Sequence, residues 1–302
     1  MATESIPAPS TPVATTARTD ESPSSESVLW IHASQGLRFL DIAELWAFRE
    51  LLFYFAWRDV KVRYKQSAVG IAWILIQPVA QMLIFATIFG RIVGLPSEGV
   101  PYATFALSGL AVWTYFASTV TKMSSSLDGN IHLITKIYFP RIVLPVSVML
   151  GTLVDFAIVL PIVLILGAFA HGGVFATWLV LPLVMVLLLA VTFGVGIWLS
   201  ALNAQYRDVM LTLPIVLQLG FYLTPVVLSA TIITSVVTEQ WLPLLALVNP
   251  MLGVVELFRW AAVGSPPPEP STVVMSCLAA AILVGSGGIF FDHTQRTIVD
   301  RV

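Results

Sequence analysis

The chain has 302 residues, of which 57% are hydrophobic and only 11% charged, with a formal net charge of −2. A soluble domain carries about 25% charged residues, and here the apolar residues fall in long blocks, so an ordinary water-soluble globular protein is excluded and an integral membrane protein is expected. One cysteine, Cys277, rules out a disulfide within the chain and a cysteine-based metal site.

Residues 1–43 read as a disordered or weakly ordered region. The first 27 or so are rich in Pro, Ser, Thr and Ala. No basic start followed by an apolar core marks them as a cleaved signal peptide. Residues 44–67, "ELWAFRELLFYFAWRDVKVRYKQS", read as an interfacial amphipathic helix. Arg58, Lys61 and Lys65 are three and four residues apart and share a face. Asp59 and Arg63 stand at i,i+4, a favourable pairing. Leu45, Phe48, Leu52, Phe55 and Val62 lie largely opposite. Such a helix anchors at the bilayer interface, and its arginines also suit recruitment of an anionic lipid headgroup.

A hydrocarbon core of ~30 Å needs about 20 helical residues to cross it. Six stretches qualify: Ala68–Phe89, Tyr102–Ser125, Pro145–Ala170, Trp178–Leu202, Met210–Leu228 and Thr272–Phe291. Only Lys122 and Asp155 are charged within them. Residues 229–263 are apolar but carry Glu239, Pro243, Asn249-Pro250, Glu256 and Arg259. The residue before a proline leaves the α region, so an extracytoplasmic re-entrant helical hairpin fits better than a span. The expected fold is therefore an all-α membrane protein with six transmembrane helices over 68–302. With six spans, 13 of the 15 Lys and Arg fall on the side of the termini, and only Arg91 and Arg259 lie opposite. The positive-inside rule then makes both termini cytoplasmic.

Asp155 needs a partner in the membrane, and Lys122, with its long stem, is a candidate; a structural ion pair is the simpler reading and proton transfer the other. Trp73, Gln77, Gln81 and Phe85 recur every fourth residue along one face of the first span. Gln218 and Tyr222 repeat that spacing in the fifth, with Phe221 beside them. Glutamines in a charge-free span belong against another helix or along a wet path. The segment Asp128–Arg141 holds Asp128, His132, Lys136, Tyr138 and Arg141 among Ile131, Leu133, Ile134 and Ile137, a short amphipathic helix stopped before Pro140. By itself it suits an interfacial loop or insertion into a partner's groove. In "NAQYRDV", Asp208 meets the N-terminal dipole of the next helix and Arg207 anchors the turn.

No G-x-x-x-x-G-K-[ST] phosphate loop is present. The four histidines stand at no metal-ligand spacing, and no acidic pair suggests acid–base catalysis. The cluster Gly285-Ser286-Gly287-Gly288 reads as helix packing. No metal, catalytic residue or cofactor of the chain's own is expected.

Four stretches together resemble the permease subunits of type-2 ABC exporters for O-antigen, capsular polysaccharide or teichoic acid: "SAVGIAWILIQPVAQMLIFATIFG" (67–90), "NIHLITKIYFPRIVLPVS" (130–147), "LNAQYRDV" (202–209), and "FYLTPVVL" with "LVNPMLGVVELFRWAAVG" (221–228, 247–264). The resemblance runs from about Glu44 to the C-terminus. It implies a multi-pass protein of the bacterial inner membrane that works as a homodimer, binds no nucleic acid, and is joined by two copies of a cytoplasmic ABC ATPase that uses ATP and Mg. It also implies a lipid-linked glycan as substrate. Asp128, His132, Lys136, Tyr138, Arg141 and Arg207 would then face the ATPase. Trp73, Gln77, Gln81, Phe85, Gln218, Phe221 and Tyr222 would line the sugar path, and Arg58, Lys61 and Arg63 would meet the lipid pyrophosphate. The alternatives are an ABC exporter of a smaller amphiphile or drug, an ion-coupled secondary transporter, and a membrane-embedded glycosyl- or acyltransferase.

Overall fold

Apolar runs that cannot leave backbone groups unpaired in lipid form helices, and the computed structural model of the chain is helical throughout its regular elements. It describes residues 42–65, 70, 72–137, 139–171, 176–206, 208–229, 232 and 241–298. The expectations for residues 1–41, Tyr138, Arg207 and Glu239 lie outside the described residues. In place of one helix over 44–67 there are two, α1 (Ile42–Ala47) and α2 (Arg49–Lys65). The break falls at Phe48, which packs against the same apolar cluster that buries Phe55.

The next elements are α3 (Ala72–Phe85), α4 (Tyr102–Ser124), α5 (Ile131–Ile134) and α6 (Val143–His171). α3 continues as a π-helical stretch, Ala86–Val93, that ends at Gly94 with φ 73°, a conformation that costs glycine nothing. There follow α7 (Leu181–Gln205), entered through a 3₁₀ turn at Ala176–Val180, then α8 (Val209–Leu223), α9 (Leu242–Val248), α10 (Met251–Val263) and α11 (Pro270–Ile298).

Among the described residues five helical stretches are long and apolar enough to cross a membrane: Ala72–Val93, Tyr102–Ser124, Val143–Ala170, Ala176–Gln205 and Pro270–Gln295. The stretch expected as the fifth span is shorter. α8 has 15 residues, about 22 Å of helix. It stops because Pro225 forces Thr224 into an extended conformation, with ψ 141°. The Asn249-Pro250 break appears as expected, between α9 and α10.

α4 is the centre of the bundle. Its small polar residues Thr104, Ser108 and Thr119 are buried with Phe105, Leu107, Leu110 and Val112, and it packs on α3, α6, α7, α8 and α10. Its Gly109 lets the Val226 carbonyl and the Arg259 guanidinium approach where a Cβ would stand 2.4 and 2.7 Å away. α7 and α11 pack through one of the glycines singled out in the sequence. Gly287 lies against Gly194 and Trp198, and Trp198 stacks on Phe290 at 4.3 Å and donates to Ser286 Oγ at 3.0 Å.

Two helices stand apart from this dense centre. Pro78 is the one buried side chain of α3, and Leu213 the one buried side chain of α8. Each also carries an internal proline, Pro78 and Pro214, a residue that has no N–H to give to the helix's hydrogen-bond ladder.

Candidate functional site

α2 lies along α6, with Ala56 against Gly151, and reaches Asp155, about 18 Å along the α6 axis from Val143. There Arg63 Nη1 pairs with Asp155 Oδ2, and the Tyr64 hydroxyl donates to Asp155 Oδ1 at 2.5 Å. This corrects two expectations. Asp155 takes Arg63 and Tyr64 as partners rather than Lys122, because α2 folds back onto α6 instead of lying apart from the spans. Arg63 is therefore unavailable to Asp59, which pairs with its neighbour Arg58 at 3.1 Å. Burial, then the Asp155 carboxylate, push the Tyr64 phenol up to about 12, so it remains a donor.

Lys122 is close by all the same. It, Arg63, Tyr64 and Asp155 line a cavity of about 270 Å³ between α2, α3, α4 and α6, together with Trp73, Gln77, Thr114, Ser118 and Thr152. The cavity joins two groups that the sequence treats separately, a basic residue of α2 and the first half of the α3 stripe. Arg58 and Lys61 do not line it. Arg58 lies over the Phe55 ring at 5.0 Å and donates to Asn130 Oδ1 at 3.3 Å, and Lys61 is exposed, over Trp57 at 5.5 Å.

The α3 stripe changes character along its length. Trp73 and Gln77 are exposed, whereas Gln81 and Phe85 are half-buried. The Phe85 ring is 6.2 Å from Phe221 of α8, and Phe221 in turn meets Trp113 of α4 at 5.9 Å. Gln218 and Tyr222 are exposed on α8. The two expected stripes thus touch at Phe85–Phe221, and Trp73, Gln77, Gln218 and Tyr222 are uncovered in the single chain.

The segment 128–141 forms less helix than its pattern predicts. A 3₁₀ turn at Asp128–Asn130 leads into α5, which ends at Ile134; the isoleucines then serve a turn rather than one continuous face. Side chains tie this segment to three helices. Asn203 Nδ2 of α7 donates to Asp128 Oδ2 at 2.7 Å, Arg58 of α2 reaches Asn130, and Arg141 Nη1 donates to the Gln295 carbonyl of α11 at 2.6 Å. His132, Lys136 and Ile137 are exposed. Asp208 precedes α8, but its side chain makes no capping hydrogen bond.

Sequence reasoning passes over Arg259, noted only as a charge on the far side. It is fully buried in α10, donates from Nη2 to the carbonyls of Pro225 and Val226 at 2.7 and 2.8 Å, and covers the Phe105 ring at 3.6 Å. It grips the turn that ends α8. No local pattern announces this, since the acceptors are backbone carbonyls more than 30 residues away. Among the described residues no cluster of His, Cys, Asp and Glu has the arrangement of a metal site.

The model of the ABC-2 type transporter family matches residues 50–263. An O-antigen export system permease protein, RfbA, of Myxococcus xanthus is 26% identical over 263 residues, covering 86% of this chain and 98% of the relative. The RfbA protein of Klebsiella pneumoniae is 31% identical over 186 residues, or 61% of this chain and 71% of the relative. The polysialic acid transport protein KpsM of Escherichia coli is 25% identical over 209 residues, 68% of this chain and 78% of the relative. With more than half its length matched and five apolar helices of membrane-crossing length, this chain is a multi-pass membrane component of the ABC-2 type transporter family.

Proposed function

We propose that the chain is the permease subunit of an ATP-driven exporter that moves a lipid-linked polysaccharide, of the O-antigen, capsule or teichoic acid kind, outward across the bacterial inner membrane. The observation that carries this reading is the similarity to O-antigen export permeases, which extends over nearly the whole of one such relative. Both termini are cytoplasmic, α8 with the turn after it makes a sixth crossing, and α9 and α10 form the re-entrant hairpin.

The permease works as a homodimer. α3 and α8 are apolar helices with almost no buried side chains, and a second copy would cover them while leaving the stripes Trp73–Gln77–Gln81–Phe85 and Gln218–Phe221–Tyr222 along a path between protomers. Aromatic faces offer flat apolar contact to sugar CH groups, and amides offer both donors and acceptors to hydroxyls. Two copies of a separate ATPase, using ATP and Mg, dock on the cytoplasmic face around His132, Lys136, Tyr138 and Arg207. Movement there passes to α2, α7 and α11 through the Asn130, Asp128 and Arg141 hydrogen bonds.

The test is reconstitution in nanodiscs and proteoliposomes. The purified chain alone should hydrolyse no ATP, and addition of its ATPase should give ATP-dependent export of a lipid-linked glycan. Turnover by the chain alone that survives repurification, or glycan transport with no ATPase present, would overturn the reading.

A further inference from the structure

α8 is held unevenly along its length. Its one buried side chain is Leu213, and its inner end starts at an exposed Asp208 that makes no capping hydrogen bond. Among the described residues one side-chain hydrogen bond ties that end to another helix, from Ser124 Oγ to Met210 Sδ at 3.1 Å, and a thioether is a weak acceptor. The turn after α8 is the opposite. Thr224, Pro225, Val226, Val227 and Ser229 are all buried. We propose that this turn is a clamp about which α8 pivots, so that a transport cycle swings the inner end of the helix while its outer end stays fixed to its own protomer. The proposal rests on the exporter reading, which makes α8 a wall of the glycan path, and deepens it by assigning the residues that position α8 as it moves.

Side chains from separate parts of the chain converge on the turn. Asn249, at the break between α9 and α10, donates from Nδ2 to Thr224 Oγ1 at 2.8 Å. Arg259 of α10 holds the carbonyls of Pro225 and Val226. The Tyr102 hydroxyl, at the start of α4, donates to the Val227 carbonyl at 2.8 Å. Ser229 Oγ donates to Glu98 Oε1 at 2.5 Å. Each of these groups is buried or half-buried, where losing a partner leaves a polar group without water to replace it. Glu98 itself stands at φ 56°, a conformation that L side chains rarely adopt and that glycine adopts without strain. A carboxylate kept at such a position points to a task for that carboxylate, and holding Ser229 supplies one. The consequence is mechanical. A helix of 15 residues is about 22 Å long. Pushed at one end, it tilts if the other end is held and slides if it is not. The clamp therefore turns displacement of the cytoplasmic face into widening of the path from within, and it keeps the outer mouth narrow.

The experiment uses the full transporter with a cysteine-free ATPase partner in proteoliposomes, in a Cys277→Ser background, and reads glycan exported per ATP hydrolysed. In Tyr102→Phe/Ser229→Ala, which loses two hydroxyl ties, this ratio should fall about tenfold while ATP turnover stays at the wild-type rate. A merely structural role lowers turnover and export together and leaves the ratio unchanged. Glu98→Cys/Ser229→Cys tests the pivot itself. Unbridged, it should show a lowered ratio, and once mercuric ion links the two thiols, as confirmed by intact mass, the ratio should return. Ser124→Cys/Met210→Cys bridged in the same way should cut export at least tenfold. Export lost on bridging the outer pair, or kept on bridging the inner one, overturns the pivot, as does an unchanged ratio in Tyr102→Phe/Ser229→Ala. If the cysteine pairs do not fold or bridge, that last variant decides. Absence of ATP-dependent export by the wild-type chain overturns the exporter reading instead.

Discussion

Gly109→Ala should be among the most damaging small changes in the protein. The new Cβ would lie 2.4 Å from the Val226 carbonyl oxygen and 2.7 Å from Arg259 Nη2. Neither neighbour has room to yield, since the carbonyl is backbone and Arg259 is fully buried. Overpacking of this kind costs about 1–3 kcal/mol. Prising Arg259 from the Val226 carbonyl costs about 1.5–3 kcal/mol more, the usual worth of a hydrogen bond to a charged group. The helix-propensity gain of about 1 kcal/mol offsets part of this, leaving a net loss of about 1.5–5 kcal/mol. Gly285→Ala supplies the control. Its Cβ would meet nothing within 4 Å, so it should be neutral or up to about 1 kcal/mol stabilising. Both variants would be unfolded by SDS titration in mixed micelles and followed by tryptophan fluorescence. Equal stability of the two would refute the claim that the α4 approach to the α8 turn is tight. Because Arg259 and Gly109 together hold the turn that follows α8, Gly109→Ala should also lower export in whatever fraction still folds.

Two further outcomes follow from the same geometry. Lys136→Glu alters an exposed side chain and should reduce co-purification of the ATPase several-fold with no change in stability, whereas Arg141→Glu breaks the bond to the Gln295 carbonyl and should cost about 2 kcal/mol of stability besides; unchanged ATPase recovery with Lys136→Glu would remove that residue from the docking surface. In a Cys277→Ser background, cysteines placed at Trp73 and Gln77 should react with a water-soluble thiol reagent during ATP turnover, while one at half-buried Leu75 should react slowly. Uniform protection along α3 would show that its stripe faces lipid or protein rather than a wet path.

The legible parts of this molecule are those written in local pattern. Five of the six expected spans appear as helices of membrane-crossing length and the fifth is shorter, and the Asn249-Pro250 break and the close packing at Gly287 could be read directly because their physics lies in the backbone. Pairings across the bundle were less accessible. The i,i+4 spacing of Asp59 and Arg63 is a real preference worth only about 0.2–0.5 kcal/mol, and it loses to the half-buried ion pair of Arg63 with Asp155. That Asp155 needs a partner was plain from its place in an apolar run. Which base would reach it depended on α2 lying along α6, and this rests on the small residues Ala56 and Gly151 meeting, contacts that no periodicity displays. Likewise the helix expected through Asp128–Arg141 is cut short, because Asn130, Asp128 and Arg141 are drawn to three different helices.

The distribution of packing also bears on how such a permease would open. α4, α7, α10 and α11 are locked by glycine contacts, the Trp198–Phe290 stack and the Arg259 anchor, and displacing any of them exposes buried polar groups as well as apolar surface. α3 and α8 touch this block on one side only, carry internal prolines and bury one side chain each. Elements that move in a working cycle come from the least stabilised parts of a fold. If the path runs between α3 and α8 of facing protomers, its walls are the helices that cost least to shift. The polar ties from 128–141 to α2, α7 and α11 would carry a push from the ATPase into the rigid block. The two outer helices would then part by hinging at Pro78 and Pro214, and the Phe85–Phe221 contact would be the last aromatic pair within one protomer holding them together.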